Sequence, residues 1–246
     1  MKNIEVRFLG SGDAFGSGGR FHACVHVKSA KGQFLIDCGA SSLIAMKRFG
    51  INPADVDAIL VSHLHGDHFG GLPFFILDAQ FNRRTRPLLV AGPPGVKTRV
   101  LQAMEVLFPG SSQVKQNFAI EFIELQERNA ALIGWIQVVS FSVLHPSGAP
   151  SYALRIEGDE KIIAYSGDTE WVKNLREAAR GADLFISEAY FFEKKIKYHL
   201  NYQTLLDKRE QLGCQKLILT HMSDDVLLRL NGLAIEWAED GKVVVL

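Results

Sequence analysis

The sequence predicts an α+β domain in which helices pack outside stacked β-sheets. Three observations carry that expectation. Short β-rich runs cluster ahead of and between segments with helical periodicity, glycine-bearing turns separate them, and no low-complexity segment, long linker or charge block divides the 246 residues. Residues 1–246 are therefore expected to form one domain, and a chain of this length can bury roughly 70–75% of the surface that it exposes when unfolded.

The elements follow in order. Runs 4–9, 23–27 and 33–37 read as strands, the last two joined by a turn at Lys31-Gly32. A helix fits 42–49 and stops at Gly50; Asn52-Pro53 then caps a brief turn before the apolar strand 58–61. A helix at 72–81 and a strand at 88–91 come next, and Pro94 opens a further helix whose apolar residues Val96, Val100, Leu101, Met104, Leu107 and Phe108 keep helical spacing. The second half predicts strands at 119–123, 135–144, 152–156, 161–165, 184–187 and 217–220. Its helices are expected at 170–179 and 202–212, closed near Gly181 and Gly213, and a final hairpin is expected to turn at Asp240-Gly241.

Composition excludes several classes. Lys+Arg number 27 and Asp+Glu 27, giving no net charge and a pI near 7.1, so bulk electrostatic binding of a long nucleic acid is not expected. Cys24, Cys38 and Cys214 are an odd number without C-x-x-C spacing, as in a reduced protein with buried packing cysteines. Segment 1–12, MKNIEVRFLGSG, alternates like a strand and has no apolar core of signal-peptide length, and no run approaches the roughly 18–20 apolar residues of a membrane span. A soluble cytoplasmic protein is the expectation.

Chemistry concentrates where strand 58–61 runs into Ser62-His63-Leu64-His65-Gly66-Asp67-His68. His63 and His65 project to one side of an extended segment and can grip one ion, while Gly66 lets the backbone turn and aim Asp67 and His68 at a second position. Imidazoles and a carboxylate crowded so closely are costly unless a cation neutralises them. His145, Asp168 and His221 each stand at a later strand end. Alone, each reads as a turn residue; together they complete two sets of nitrogen and oxygen donors, as a dinuclear site requires.

The run S-H-L-H-G-D-H-F-G-G-L-P, with D-C-G upstream and H-P, S-G-D-T and L-T-H downstream, resembles the metallo-β-lactamase superfamily over nearly the whole chain. The resemblance implies a four-layer αββα sandwich with the metals at one edge between the sheets. It further implies His63, His65 and His145 on one metal, Asp67, His68 and His221 on the other, Asp168 bridging, and Asp37 orienting a ligand imidazole.

Donors of this kind suit two divalent ions, Zn²⁺ first and Mn²⁺ or Fe²⁺ as alternatives. Two such ions share and acidify a water and neutralise developing charge on an electrophile, so a dinuclear metal-dependent hydrolase is expected, with Asp67 both ligand and acceptor of the water proton. Ser187-Glu188-Ala189-Tyr190 and His199-Leu200-Asn201 resemble the ribonuclease Z and phosphodiesterase branch. That likeness implies His199 as the acid that protonates the leaving oxygen and Glu188 as its orienting partner.

Two departures from the branch redirect the substrate. Residues 146–167, all that separates His145 from Asp168, are filled by two predicted strands and leave no room for the protruding arm of the transfer-RNA enzymes. The H-E-A-T and H-S-T patterns read S-E-A-Y and H-L-N, and Asp224-Asp225 after the last histidine would repel a phosphate backbone. A small or nucleotide-like anionic phosphodiester is thus preferred over long nucleic acid, with no membrane partner and a homodimer as the branch's common state. Competing readings are hydrolysis of a lactone, thioester or β-lactam at the same metals, a ribonuclease Z-type endonuclease, and a non-enzymatic metal-stabilised nucleotide-binding module. Arg83-Arg84-Thr85-Arg86 reads as a solvated helix terminus, Phe15, Phe21, Phe69, Phe74 and Phe75 as core or as walls of the site, and 10–19 as a loop beside the metals; His22 and His26 have no assigned chemistry.

Overall fold

Apolar side chains alternate between two destinations along the strands, and the computed structural model, which describes residues 3–246, shows both. Met1 and Lys2 of the amino-terminal segment lie outside the described residues. One seven-stranded sheet contains β1 (Glu5–Gly10), β2 (Cys24–Ser29), β3 (Gly32–Ile36), β4 (Ala58–Leu60), β5 (Leu88–Gly92), β6 (Ile120–Glu124) and β14 (Val243–Val245), in the order β14-β1-β2-β3-β4-β5-β6. The other contains β7 (Ala130–Ile133), β8 (Ile136–Val143), β9 (Ser151–Gly158), β10 (Lys161–Tyr165), β11 (Leu184–Glu188), β12 (Lys216–Thr220) and β13 (Glu236–Trp237), in the order β13-β12-β11-β10-β9-β8-β7.

Phe34 and Ile36 of β3 join Leu154, Ile156, Leu184 and Ile186 in the core between the sheets. Their neighbours Leu35 and Phe185 face the other way. Leu35 packs with Ile59 under α1 (Ser42–Arg48), α3 (Leu72–Phe81) and α4 (Val96–Leu107), through Met46, Phe75 and Val100. Phe185 packs with Leu219 under α5 (Asn174–Ala179) and α6 (Tyr202–Leu212), through Leu175 and Leu205. The result is the expected αββα sandwich. Central strands are apolar on both faces because both faces are covered, and each such side chain contributes about 1.5–3 kcal/mol on burial.

Helices α3 and α6 keep their predicted limits, and Asn52 caps the Pro53–Asp55 turn by accepting from Ala54 N. Elsewhere tertiary contacts override the local pattern. Helix α5 starts at Asn174 instead of 170, because Glu170 is tied into the loop: its N–H donates to Leu144 O and its Oε1 accepts from Tyr198 N at 2.9 Å. Strand β7, not anticipated, forms a hairpin with β8 around Gly134, whose φ is +61°.

The expected hairpin at Asp240-Gly241 does not form. Strand β13 runs parallel to β12 in one sheet and β14 antiparallel to β1 in the other, so the chain crosses between sheets there. Asp240 holds the crossing by accepting from Ser11 N, Ser11 Oγ and Phe21 N. Arg84 also departs from expectation: it is 4% exposed, and its guanidinium donates to the carbonyls of Pro53, Ala54, Val56, Arg86 and Pro87. It therefore clamps the entry to β4, at the opposite end of that strand from His63. Residues 146–167 are taken up by β9, β10 and short turns, so no arm protrudes.

Candidate metal centre

Strands β3, β4, β8, β10, β11 and β12 run into, or within a few residues of, Asp37, His63, His145, Asp168, Glu188 and His221 respectively. These ends share one edge of the sandwich, where loops leaving the carboxyl ends of strands converge from both sheets. Tyr152 N donates to Ser62 O at 3.0 Å and links the two halves there. Within the H-x-H-x-D-H run, α2 (Gly66–Phe69) supplies the turn that brings Asp67 and His68 round. Gly39 makes room for that turn: a Cβ on it would lie 2.1 Å from Asp67 O.

Asp37, held at φ +58°, organises the first histidines. Its carboxylate accepts from Ser62 N, Ser62 Oγ and His68 Nδ1 at 2.7, 2.8 and 2.7 Å. Since the Ser62 hydroxyl proton goes to Asp37, Ser62 Oγ accepts from His63 Nδ1, 3.1 Å away. His145 Nδ1 donates to Tyr198 O at 3.0 Å. Carboxylate, serine oxygen and carbonyl thus fix the Nδ1–H tautomer on three rings and turn three Nε2 lone pairs inward.

Those lone pairs meet other acceptors. His145 Nε2 faces His65 Nδ1 at 3.0 Å, and His68 Nε2 faces His221 Nε2 at 3.4 Å. Asp67 Oδ2 lies 3.2 Å from His68 Nε2 and 3.1 Å from His221 Nε2. Asp168 reaches both halves, with Oδ2 3.9 Å from His63 Nε2 and from His145 Nε2 and 3.4 Å from His221 Nε2, and Oδ1 3.4 Å from His68 Nε2. His63 Nε2, Asp168 Oδ1 and His221 Nδ1 are buried without hydrogen-bond partners.

Donor atoms of His63, His65 and His145 lie within 4.8 Å of one another, as do those of Asp67, His68, Asp168 and His221, and each group could hold an ion. Facing imidazole nitrogens and orphaned buried acceptors are what two divalent cations would satisfy, so the residues fit the metals that the sequence implies.

Electrostatics carry the same imprint. Burial pushes the carboxyls of Asp67 and Asp168 up, but the surrounding imidazoles outweigh it and hold both below the ordinary range. Burial disfavours protons on His68 and His221, yet Asp168 and Asp67 raise both, His221 to about 9. Burial also lowers His63 and His65, and brings His145 down to about 4. Positive charge is thus drawn into the second group of ligands, where three carboxylates converge.

His199 and Glu188 stand at the rim of this cluster. His199 Nδ1 bonds Glu188 Oε2 at 2.9 Å, and Glu188 Oε1 accepts from Thr169 N. Burial and the Asp168 charge push Glu188 up to about 7; burial lowers His199, but the Glu188 contact outweighs it and leaves the imidazole above its usual value. The two groups hold one proton between them near neutrality.

Tyr190 is the residue that sequence reasoning passed over. Its ring stacks on His199 with centroids 4.7 Å apart and planes 29° apart. Its position two residues after Glu188 was the available signal, since that stretch reads S-E-A-Y in place of H-E-A-T. The glycine-rich loop does lie beside the cluster, with Ser11 O accepting from His221 N at 3.0 Å. Phe69 and Phe75 belong to the helix-covered core, while Phe15 is 84% exposed. Asp224 and Asp225 turn to local tasks, accepting from Gly18 N and Phe192 N, and His26 pairs with Gln33. Among the described residues no helix is long and apolar enough to cross a membrane.

Known proteins share this plan. A ribonuclease Z of Agathobacter rectalis is 27% identical over an alignment 276 positions long, gaps included, covering 91% of this chain and 89% of that protein. Among solved structures, the metallo-β-lactamase fold protein YhfI from Bacillus subtilis superposes with a TM-score of 0.80 at 21% identity, covering 100% of both chains. The short form of human tRNase Z gives 0.79 at 23% identity, covering 98% of each. Fold, ligand cluster and relatives identify a metal-dependent hydrolase of the metallo-β-lactamase superfamily, on its ribonuclease Z and phosphodiesterase-like branch, and within it the chain belongs to the family described as anti-Pycsar protein Apyc1, whose model matches residues 4–232.

Proposed function

We propose that this hydrolase is a phosphodiesterase acting on a small or nucleotide-like phosphodiester. In this reading His63, His65 and His145 hold one divalent ion, Asp67, His68 and His221 hold a second, and Asp168 touches both; Zn²⁺ is the first choice, with Mn²⁺ and Fe²⁺ suited to the same donors. Bound there, the ions supply an acidified water and neutralise charge on the phosphoryl oxygens. Asp37 keeps the His63 and His68 lone pairs aimed inward. Asp67 is close enough to accept a proton from a water at the cluster, but its low proton affinity makes ligation its main task.

The observation that carries the reading is the Glu188–His199 pair at 2.9 Å, which keeps a proton available near neutral pH beside the cluster. An alkoxide leaving a phosphodiester needs such a proton, and His199 donates it while Glu188 holds the ring and Tyr190 covers one face. The lack of an arm between His145 and Asp168 supports a compact substrate over transfer RNA.

Residues 1–246 act in this proposal as one cytoplasmic domain, in keeping with three unpaired cysteines. The exposed Phe81, Val106 and Leu107 on α3 and α4 favour a homodimer. The deciding experiment assays the metal-reconstituted protein on bis-p-nitrophenyl phosphate, on cyclic and linear nucleotide phosphodiesters, on a short 3′-extended RNA, and on lactone and thioester substrates. Phosphodiester turnover without carbonyl hydrolysis is expected; the reverse pattern would sink the proposal, and preference for the RNA would return the protein to a ribonuclease Z role.

A further inference from the structure

His199 and the ligand cluster share a neighbour whose polar end has no partner. The Tyr190 ring lies 4.7 Å from that of His199, centroid to centroid, and 6.0 Å from that of His221. It therefore stands over the acid and beside the second group of ligands at once. Phe191 meets it edge-on at 4.8 Å. The backbone is equally fixed: Tyr190 N donates to Leu200 O, and Tyr190 O accepts from Ser223 N and Ser223 Oγ.

The hydroxyl carried by this ring is uncommitted. Tyr190 is partly buried, but its hydroxyl reaches solvent and has no hydrogen-bond partner among the described residues. Burial, and then the charges of Asp13, Asp168, Glu188 and Asp67, raise the phenol above its usual value, so it keeps its proton and remains a donor at neutral pH. Those carboxylates belong to the glycine-rich loop, the ligand cluster and the acid–base pair, so the hydroxyl stands where the three meet.

Other hydroxyls around the site are spoken for. Thr169 Oγ1 donates to Glu170 O, Ser11 Oγ to Asp240 and Ser223 Oγ to Tyr190 O. His199 is engaged through Nδ1 by Glu188, and its Nε2 serves the leaving oxygen in the phosphodiesterase reading. A phosphodiester being cleaved spreads charge over its non-bridging oxygens. Those turned to the cluster face the ions, and the one turned to the open side faces Tyr190.

We propose that Tyr190 is a further catalytic residue, whose hydroxyl donates to a non-bridging phosphoryl oxygen in a hydrogen bond that strengthens as charge builds in the transition state. No covalent bond forms or breaks at Tyr190, and the proton stays on the phenol. The stacked ring and bonded backbone hold the donor in place in advance, so little has to reorganise when the charge appears. The assignment rests on the phosphodiesterase reading and adds to it a donor that acts on a different oxygen from His199.

The test compares the metal-loaded parent with Tyr190→Phe, which keeps the stacked ring and removes only the hydroxyl, on bis-p-nitrophenyl phosphate. The kcat is expected to fall about 10²-fold, as loss of one oxyanion donor does, with KM nearly unchanged and metal content equal to the parent's. The same factor is expected when Tyr190→Phe is made in the His199→Ala background, because the two groups serve different oxygens. Unchanged kcat, or a rise in KM at constant kcat, would overturn the assignment. A loss that disappears in the His199→Ala background would also overturn it, since Tyr190 would then act only by holding His199, and so would a loss explained by missing metal. Absence of bis-p-nitrophenyl phosphate turnover by the parent would instead overturn the phosphodiesterase reading.

Discussion

Glu188 Oε2 sits 2.9 Å from His199 Nδ1, and the carboxylate is 1% exposed. Its burial forces it to share a proton with the imidazole. The proton is needed when the leaving group is a poor one, so His199→Ala should lower kcat on a nucleotide phosphodiester by about 10²–10⁴-fold. The loss should be much smaller with bis-p-nitrophenyl phosphate, whose nitrophenolate departs without help. Equal losses on both substrates, measured with metal content unchanged, would remove His199 from the acid role.

The same pair sets a pH profile. His199 is raised above its usual value by Glu188, and only its protonated form can donate, so activity falls as pH rises through that raised pKa. Glu188→Gln removes the charge that favours the imidazolium. Its alkaline limb should therefore move to lower pH, and a profile unchanged from the parent would contradict the coupling.

Asp37 grips Ser62 and His68 and, through Ser62, fixes the tautomer of His63. Asp37→Ala should weaken metal binding by about 10–100-fold, as loss of such outer partners does, with a smaller effect on far-ultraviolet dichroism than on metal content. Titration with a competing chelator provides the measurement.

Removing the metals should make stability sensitive to alkali. In the metal-free protein His221 has its pKa raised to about 9 against about 6.5 in the unfolded chain. Its contribution is complete below the unfolded value and disappears as pH rises through the folded one. The Tm of metal-free protein should therefore fall between about pH 6.5 and 9 more steeply than that of the metal-loaded form. Parallel curves would argue against protons taking the place of the cations.

Asp240 accepts three hydrogen bonds from Ser11 and Phe21, and Ser11 O in turn receives His221 N. Asp240→Ala leaves these donors without an acceptor and should cost about 1–3 kcal/mol by denaturant unfolding. Metal affinity should fall as well, because His221, held at φ +54°, loses the support behind it.

Period-two alternation revealed the strands, and capping residues with glycine stops revealed α3 and α6, because these signals act between neighbours in sequence. The elements misread are those decided at a distance. Glu170 looks helical until Tyr198 N takes its carboxylate, and Asp240-Gly241 looks like a hairpin turn until β13 and β14 are seen to have partners in different sheets. The seven candidate ligands stand out in the sequence as chemically conspicuous residues, His63, His145, Asp168 and His221 shortly after strands and His65, Asp67 and His68 crowded into the run that His63 opens. Tyr190 does not, because an aromatic ring announces packing in sequence and its stacking on His199 exists only once β11 and the loop before α6 meet. Arg84 was misread for the opposite reason: its neighbours Arg83 and Arg86 make it resemble a surface cluster, although it is buried.

The separation of β13 from β14 fixes an order of events during synthesis. Strand β1 leaves the ribosome long before β14, so the side of it that pairs with β14 has no native partner until Val243–Val245 emerge. Throughout elongation, then, the nascent chain carries an open, adhesive edge beside a half-built site, and the crossing at Asp240 closes the edge and braces His221 in the same late step.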